Sequence, residues 1–247
     1  MNKQLSATTV KRLIELNNDF YNKVAGPFTK TRSYSWAGWQ RLADYFAEIS
    51  FTPQRILDLG CGNGRFLTFV LQNWQYQDYT GIDANTKLLE YAQESYGDLP
   101  NCKFITLDFL TNPDLSLVKS QFDLIVLLGV MHHVPGEALR KQILTSASEK
   151  LSDKGFLIVT FWDFLSEKQL SKKIVPWSML DINEADLAER DYLLDWKRDN
   201  YAFRYCHYYV KEEIVELAKA AKLEVVTEFF ADGPGGRANR YVVFKKV

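Results

Sequence analysis

Residues Ile56–Phe66 read ILDLGCGNGRF. The mostly apolar run ending at Asp58-Leu59 predicts a buried parallel strand. Gly60, Gly62 and Gly64 then predict a turn into a helix continued by Phe66, Phe69, Val70 and Leu71. Alternating glycines let the backbone approach a ligand with no Cβ between them, and the N–H groups that open the next helix add donors and positive potential. The stretch therefore reads as a nucleotide pocket. Arg65 stands where a dinucleotide fingerprint has its third glycine, which counts against a nicotinamide cofactor.

The features that follow come in a fixed order. A second strand, Tyr79 to Ile82, ends at Asp83-Ala84, a third, Lys103 to Leu107, ends at Asp108-Phe109, and a fourth, Phe122 to Leu128, ends at Gly129 and Met131-His132-His133-Val134-Pro135. Polar groups just past the carboxyl ends of parallel strands mark where open α/β sheets hold ligands. These residues resemble class I S-adenosylmethionine-dependent methyltransferases over nearly the whole chain. The resemblance implies an α/β, Rossmann-like, doubly wound seven-stranded sheet with an antiparallel last strand, N-terminal helices and a substrate-side cap insertion. It also implies S-adenosyl-L-methionine as cofactor. Asp58 would orient the methionine amino group, Gly60 and Gly62 of the Gly60–Gly64 turn would pass beneath it, Asp83 beside Ala84 would take the ribose hydroxyls, and Asp108-Phe109 would meet the adenine, with Gly129 completing the set. Helix N-capping competes with binding as the role of Asp83 and Asp108.

At 247 residues and 47% apolar composition, one elaborated domain is expected. It divides into an N-terminal helical cover (1–50), a cofactor-binding core (51–164), a cap insertion (165–209) and a last helix with a terminal hairpin (210–247). No stretch is long and apolar enough to span a membrane, and MNKQLSATTVKR lacks the apolar core of a signal peptide, so a cytoplasmic protein is expected. Cys61, Cys102 and Cys206 are scattered, and with no His/Cys cluster in the sequence no metal is expected. A net charge of -1 gives no overall basic field for nucleic acid.

Helical spacing predicts helices over Ser6–Val24 and from Trp36 to Phe46, separated by VAGPFTKTRSYSW, and further helices over Thr86–Ser95, Leu115–Lys119, Glu137–Leu151 and Val210–Leu223. A fifth strand is expected over Gly155–Phe161, and a closing pair over Glu224–Phe230 and Arg240–Phe244. Leu165 to Asn200 breaks the pattern and carries acidic residues from Asp181 to Asp191. A connector of that length reads as a binding element or a surface excursion. Arg32, between aromatics, suits either a carboxylate or phosphate clamp or a surface salt bridge.

Methyl transfer from a sulfonium is an in-line displacement, so the protein positions a nucleophile and excludes water. For a phenol or amine acceptor, His132 or His133 could serve as base; for a carboxylate, ionised at neutral pH, none is needed. A narrower resemblance joins YNKVAGPFTKTRSYSW (from Tyr21), the His-His after strand four, DYLLDWK, RYCHYY and Arg237-x-Asn239-x-Tyr241 to the wobble-uridine tRNA carboxymethyluridine methyltransferases. The chain departs from that pattern at Asp195 and Cys206. The resemblance implies an acceptor side built from Tyr21, Arg32, His132, His133 and Arg204. It also implies tRNA as acceptor and a small activator subunit as partner. A small-molecule O- or N-methyltransferase acting on a metabolite acid or phenol, and a non-catalytic S-adenosylmethionine-binding module, are the alternatives.

Overall fold

The computed structural model describes residues 4–30, 34–198 and 200–247. In chain order the elements are α1 (Ala7–Lys30), α2 (Ala37–Glu48), β1 (Arg55–Leu59), α3 (Arg65–Asn73), β2 (Asp78–Asp83), α4 (Thr86–Tyr96), β3 (Cys102–Thr106), β4 (Phe122–Leu127), α5 (Glu137–Lys150), β5 (Leu151–Trp162), α6 (Lys168–Ser171), β6 (Ile174–Val175), β7 (Asp191–Arg198), β8 (Asn200–His207), α7 (Lys211–Ala220), β9 (Leu223–Ala231) and β10 (Asn239–Lys246). Seven strands form one sheet in the order β3-β2-β1-β4-β5-β10-β9. β1 to β5 pair in parallel, and β10 runs antiparallel to both β5 and β9. The chain reverses its winding between β1 and β4, which opens a crevice there.

Side chains alternate across this sheet and build two cores. Leu57, Leu59, Ile125, Leu127, Val159 and Val242 pack with α5 and α7 on one face. Ile56, Leu124, Val126, Ile158 and Tyr241 pack on the other with Trp39, Phe46, Phe66 and Phe69 of α2 and α3. Burial on both faces explains why these strands read as continuous apolar runs.

Three expectations need correction. α1 does not stop at Val24 but continues through Pro27 to Lys30. Phe20, Val24, Trp196 and Ala202 bury one another, and this contact with the cap overrides the local breaking tendency of Gly26-Pro27. No helix forms over Leu115–Lys119: Leu115 takes φ 48°, in the left-handed region, and Leu115 and Val118 enter the core from turns. The stretch Leu165–Asn200 is more regular than its sequence suggests. β6, β7 and β8 form a three-stranded antiparallel sheet, with Leu193 opposite Tyr205 and Leu194 opposite Arg204. Leu193 and Tyr205 pack with Leu13 of α1, whereas Leu194 and Cys206 pack with Phe164. With both faces covered, the period-2 signal of a half-exposed strand is lost.

A buried charge cluster joins this cap sheet to the core. Arg140 of α5 donates through Nη1 to Glu213 of α7 (2.9 Å) and through Nη2 to the Tyr205 hydroxyl (3.0 Å), and Nη2 lies 3.5 Å from Asp191. His207 bridges Asp191 (2.7 Å) and Glu213 (3.0 Å). Burial alone would raise both carboxylates; His207 and Arg140 outweigh it and hold them below the ordinary range. Asp191, the last residue of the acidic run, thus leaves the surface and becomes a buried partner. Among the described residues, no helix is long and apolar enough to cross a membrane.

Removing one partner of such a cluster strands the other charges. Arg140→Ala is expected to cost about 3–5 kcal/mol, read as a lower urea midpoint at neutral pH. The depressed carboxylates Asp191 and Glu213 contribute stability above their unfolded pKa values, near pH 4, and lose it as pH falls through the folded ones. The variant should therefore show a shallower loss of stability below about pH 4 than the parent.

Candidate active site

A cleft of about 940 Å³ opens over the carboxyl ends of β1 and β4. Its floor is the glycine turn. Gly60, Gly62 and Gly64 have φ of 80°, 55° and 76°, conformations that a side chain would strain. At Gly60 there is no space either, since a Cβ would collide with Val130 Cγ2. The Gly60 and Cys61 amides donate to the Ile82 carbonyl (2.7 and 3.0 Å), tying the turn to the end of β2.

Three acidic side chains face this half. Asp83 accepts from the Gly62 amide (2.8 Å) and the Asn85 amide (2.8 Å). The N-cap of α4 is Asn85, whose Oδ1 accepts from the Leu88 amide (3.0 Å). Asp108 accepts from the Leu110 amide (2.9 Å) in a turn with no helix after it, so neither aspartate is a helix cap. Asp58 accepts from the Tyr79 hydroxyl (2.6 Å). Burial pushes its carboxyl up to about 7, Tyr79 opposing and Asp83 adding to the shift. Burial raises Asp83 as well. Carboxylates taken out of water in this way gain from a cationic ligand, and a sulfonium bearing an ammonium group meets that demand. Ala84, Phe109 and Gly129 line the same cleft with Gly60 and Gly62, whereas Gly64 does not line it and backs onto Tyr96 and Ala92 of α4.

The other half lies between α1, the 3₁₀ turn Met131–His133, the end of β5 and β8. His133 is buried with both ring nitrogens engaged: Nδ1 is 3.0 Å from the Tyr205 carbonyl, which requires the proton there, and Nε2 accepts from the Tyr21 hydroxyl (2.8 Å). Burial, reinforced by the nearby Arg204 cation, lowers its pKa to about 3. The imidazole is neutral and is a poor base near pH 7. The His132 ring packs 4.0 Å from that of His133 and 5.0 Å from that of Trp162, centroid to centroid, tilted by 52° to each.

Arg204 is 6% exposed, with its guanidinium 4.6 Å from the Trp162 ring and 5.3 Å from the Phe20 ring. Nε is buried without a hydrogen-bond partner, and no carboxylate of the described residues pairs with the group. Arg32 lies outside the described residues. The structure corrects the expectation of no His/Cys cluster, because His132, His133 and Cys206 bring ligand atoms within 4.8 Å of one another. The donor set does not suit a cation. His133 has spent both nitrogens, burial pushes the Cys206 thiol up to about 12, and Arg204 already supplies positive charge. Folding joins residues 74 positions apart, a proximity that sequence spacing does not show.

Asn17 stands in no motif of the sequence. It accepts from the Tyr205 amide (2.8 Å) and donates to the Tyr205 carbonyl (3.2 Å), fixing α1 to β8. Trp162 and Glu167, which line the cleft, carried no motif.

Residues 28–228 match the family described as a methyltransferase domain. A protein of Encephalitozoon cuniculi that carries the provisional name of methyltransferase is 27% identical over 211 residues, 84% of this chain and 86% of that one. The tRNA (carboxymethyluridine(34)-5-O)-methyltransferase of Arabidopsis thaliana is 22% identical over 71% of this chain, which spans 40% of that relative's length. Among solved structures, an S-adenosylmethionine-dependent methyltransferase from Clostridium acetobutylicum superposes with a TM-score of 0.66 at 14% identity, covering 92% of this chain and 98% of the other.

The neutral state of His133 has a measurable cost. Its folded pKa of about 3 lies below the usual 6.5, so between those values the unfolded chain takes up a proton that the fold refuses. Stability then falls with acidification by up to about 1.4 kcal/mol per pH unit. His133→Asn is expected to unfold with a shallower dependence on pH between about 6 and 4, measured by thermal melts of both proteins across that range.

Proposed function

Because this chain belongs to the methyltransferase-domain family, we propose that it transfers the methyl group of S-adenosylmethionine to a carboxylate oxygen, forming a methyl ester. When bound, the cofactor supplies an electrophilic methyl carbon on a positively charged sulfur. Asp58 holds its amino end, Asp83 its ribose hydroxyls, and Asp108 with Phe109 its adenine, over the Gly60–Gly64 turn. The carboxylate oxygen forms the new O–CH₃ bond as the S–CH₃ bond breaks, the bonding pair leaving with sulfur.

One observation carries the choice of acceptor: Arg204 is a buried guanidinium between two aromatic rings, its Nε without a hydrogen-bond partner and no carboxylate of the described residues paired with it. An unpaired buried charge is costly, and an ionised acceptor acid offsets that cost while being aimed by the planar fork. The protonation state of His133 agrees with this choice. An alcohol or phenol acceptor would need a proton taken away, for which His133, with a pKa of about 3, is unsuited, whereas an ionised acid has none to give up. The role of His133 is then to hold Tyr21 and the Tyr205 carbonyl in place.

The carboxymethyl group of a tRNA wobble uridine is the acceptor this reading favours, on the similarity to the Arabidopsis enzyme. A small carboxylic acid is the second reading. It is favoured by Asp181, Glu184, Asp186 and Glu189, which are exposed on the cap and repel phosphate.

Labelled methyl from S-adenosylmethionine, offered with bulk tRNA and with a small-molecule extract from cells lacking the protein, tests the proposal. Label in tRNA that mild alkali releases is the expected result, alkali-labile label confined to small molecules supports the second reading, and alkali-stable label refutes ester formation. Arg204→Ala is expected to lower kcat/KM by about a hundredfold or more while leaving S-adenosylhomocysteine binding in place. With S-adenosylmethionine saturating, so that its ammonium group keeps Asp58 ionised, the kcat/KM profile for the acceptor should stay flat from about pH 6 to 8, with no ionisation of His133 near the usual histidine value.

A further inference from the structure

Resting on the carboxylate reading above, we infer that Glu167 selects the acceptor by accepting a hydrogen bond from an N–H or O–H group that the acceptor carries in addition to its carboxylate. Glu167 follows β5 and lines the same cleft as Trp162 and Arg204. Its Oε1 is buried and takes no hydrogen bond from the described residues. An ionised carboxylate is acceptor-only, so a buried oxygen of this kind calls for a donor.

The surroundings are shaped around that oxygen. A Cβ on Gly235 would lie 3.0 Å from Oε1 and one on Gly233 3.2 Å, so glycines are what let the loop after β9 pass so close. That loop is fixed by Asp232, in the left-handed region at φ 67°. Asp232 accepts from the Gly38 amide (2.9 Å), Asn239 Nδ2 (2.8 Å) and the Tyr241 hydroxyl (2.7 Å). The loop is therefore anchored on α2 and β10.

Glu167 and Arg204 carry opposite charges, face one cleft and do not pair with each other. Two uncompensated groups held apart in one cavity are complementary to a ligand that presents both an acid and a donor. The cofactor already meets Asp58, Asp83 and Asp108 on the far side of the switch between β1 and β4. Glu167 stands on the β5 side, where the acceptor enters.

The test uses the full chain loaded with S-adenosylhomocysteine. Uracil-5-acetate and phenylacetate are titrated into it by calorimetry; both carry an acetate arm, and only the first has ring N–H donors. The ratio of their dissociation constants should shift by about tenfold between the parent protein and Glu167→Ala, against uracil-5-acetate, with Glu167→Gln between the two. A ratio unchanged by both variants would overturn the inference while leaving the carboxylate reading intact. Loss of S-adenosylhomocysteine affinity in Glu167→Ala at an unchanged melting temperature would overturn it too, by moving Glu167 to the cofactor. If neither acid binds the parent protein, the carboxylate reading falls and this inference falls with it.

Discussion

The acceptor side of the cleft hangs on β8, and β8 is held where it is by charge taken out of water. Arg140 sits in the core with Glu213 and Asp191, and His207 closes the ring between the two carboxylates. Tyr205 belongs to the same cluster through its hydroxyl, while its backbone carbonyl faces His133 and its amide meets Asn17. One residue before it, Arg204 faces the cleft. A buried ion pair contributes little to stability relative to an apolar replacement, but it fixes geometry sharply, because any register slip leaves a charge unpaired. The cluster thus gives the cap strand one position, and that position sets the guanidinium.

The two halves of the cleft obey opposite electrostatic rules. The cofactor half gathers carboxylates that burial has raised, a demand for positive charge. The acceptor half gathers a cation, Arg204, with no carboxylate partner among the described residues, a demand for negative charge. The sulfonium and the acid that the proposed reaction brings together are each the missing counter-charge of the half that receives it. Once the methyl has moved, the acid has become a neutral ester and loses its attraction to Arg204, whereas the demethylated cofactor gives up only the sulfonium charge and keeps the ammonium group that faces Asp58.

The cofactor half could be read in the sequence because each of its residues sits at a strand end, close along the chain to the apolar run that places it. The glycine turn follows from the same local signals, whereas the seven-stranded sheet with its antiparallel last strand is expected only from the family resemblance. The acceptor half is assembled from α1, the turn after β4, the end of β5 and β8, and no local pattern announces it. Arg204 stood out as a cation among aromatics, but its burial without a carboxylate partner among the described residues is a property of the fold. The depression of His133 arises from burial and from the nearby Arg204 cation, both produced by residues distant in sequence. The hairpin of β7 and β8 was hidden because both of its faces are covered, and Asp191 read as surface charge because its partners lie on α5, β8 and α7.

α1 touches both halves at once. Asn22 accepts from Asn85 at the N-cap of α4, beside the cofactor loop, and Asn17 grips the backbone of Tyr205 beside the acceptor. Tyr21, one turn on from Asn17, reaches His133. If a ligand at one half ordered this helix, the other half would receive its own ligand against a wall already set, and linkage would make that effect reciprocal. A single helix laid across the cleft thus gives the two halves one shared wall.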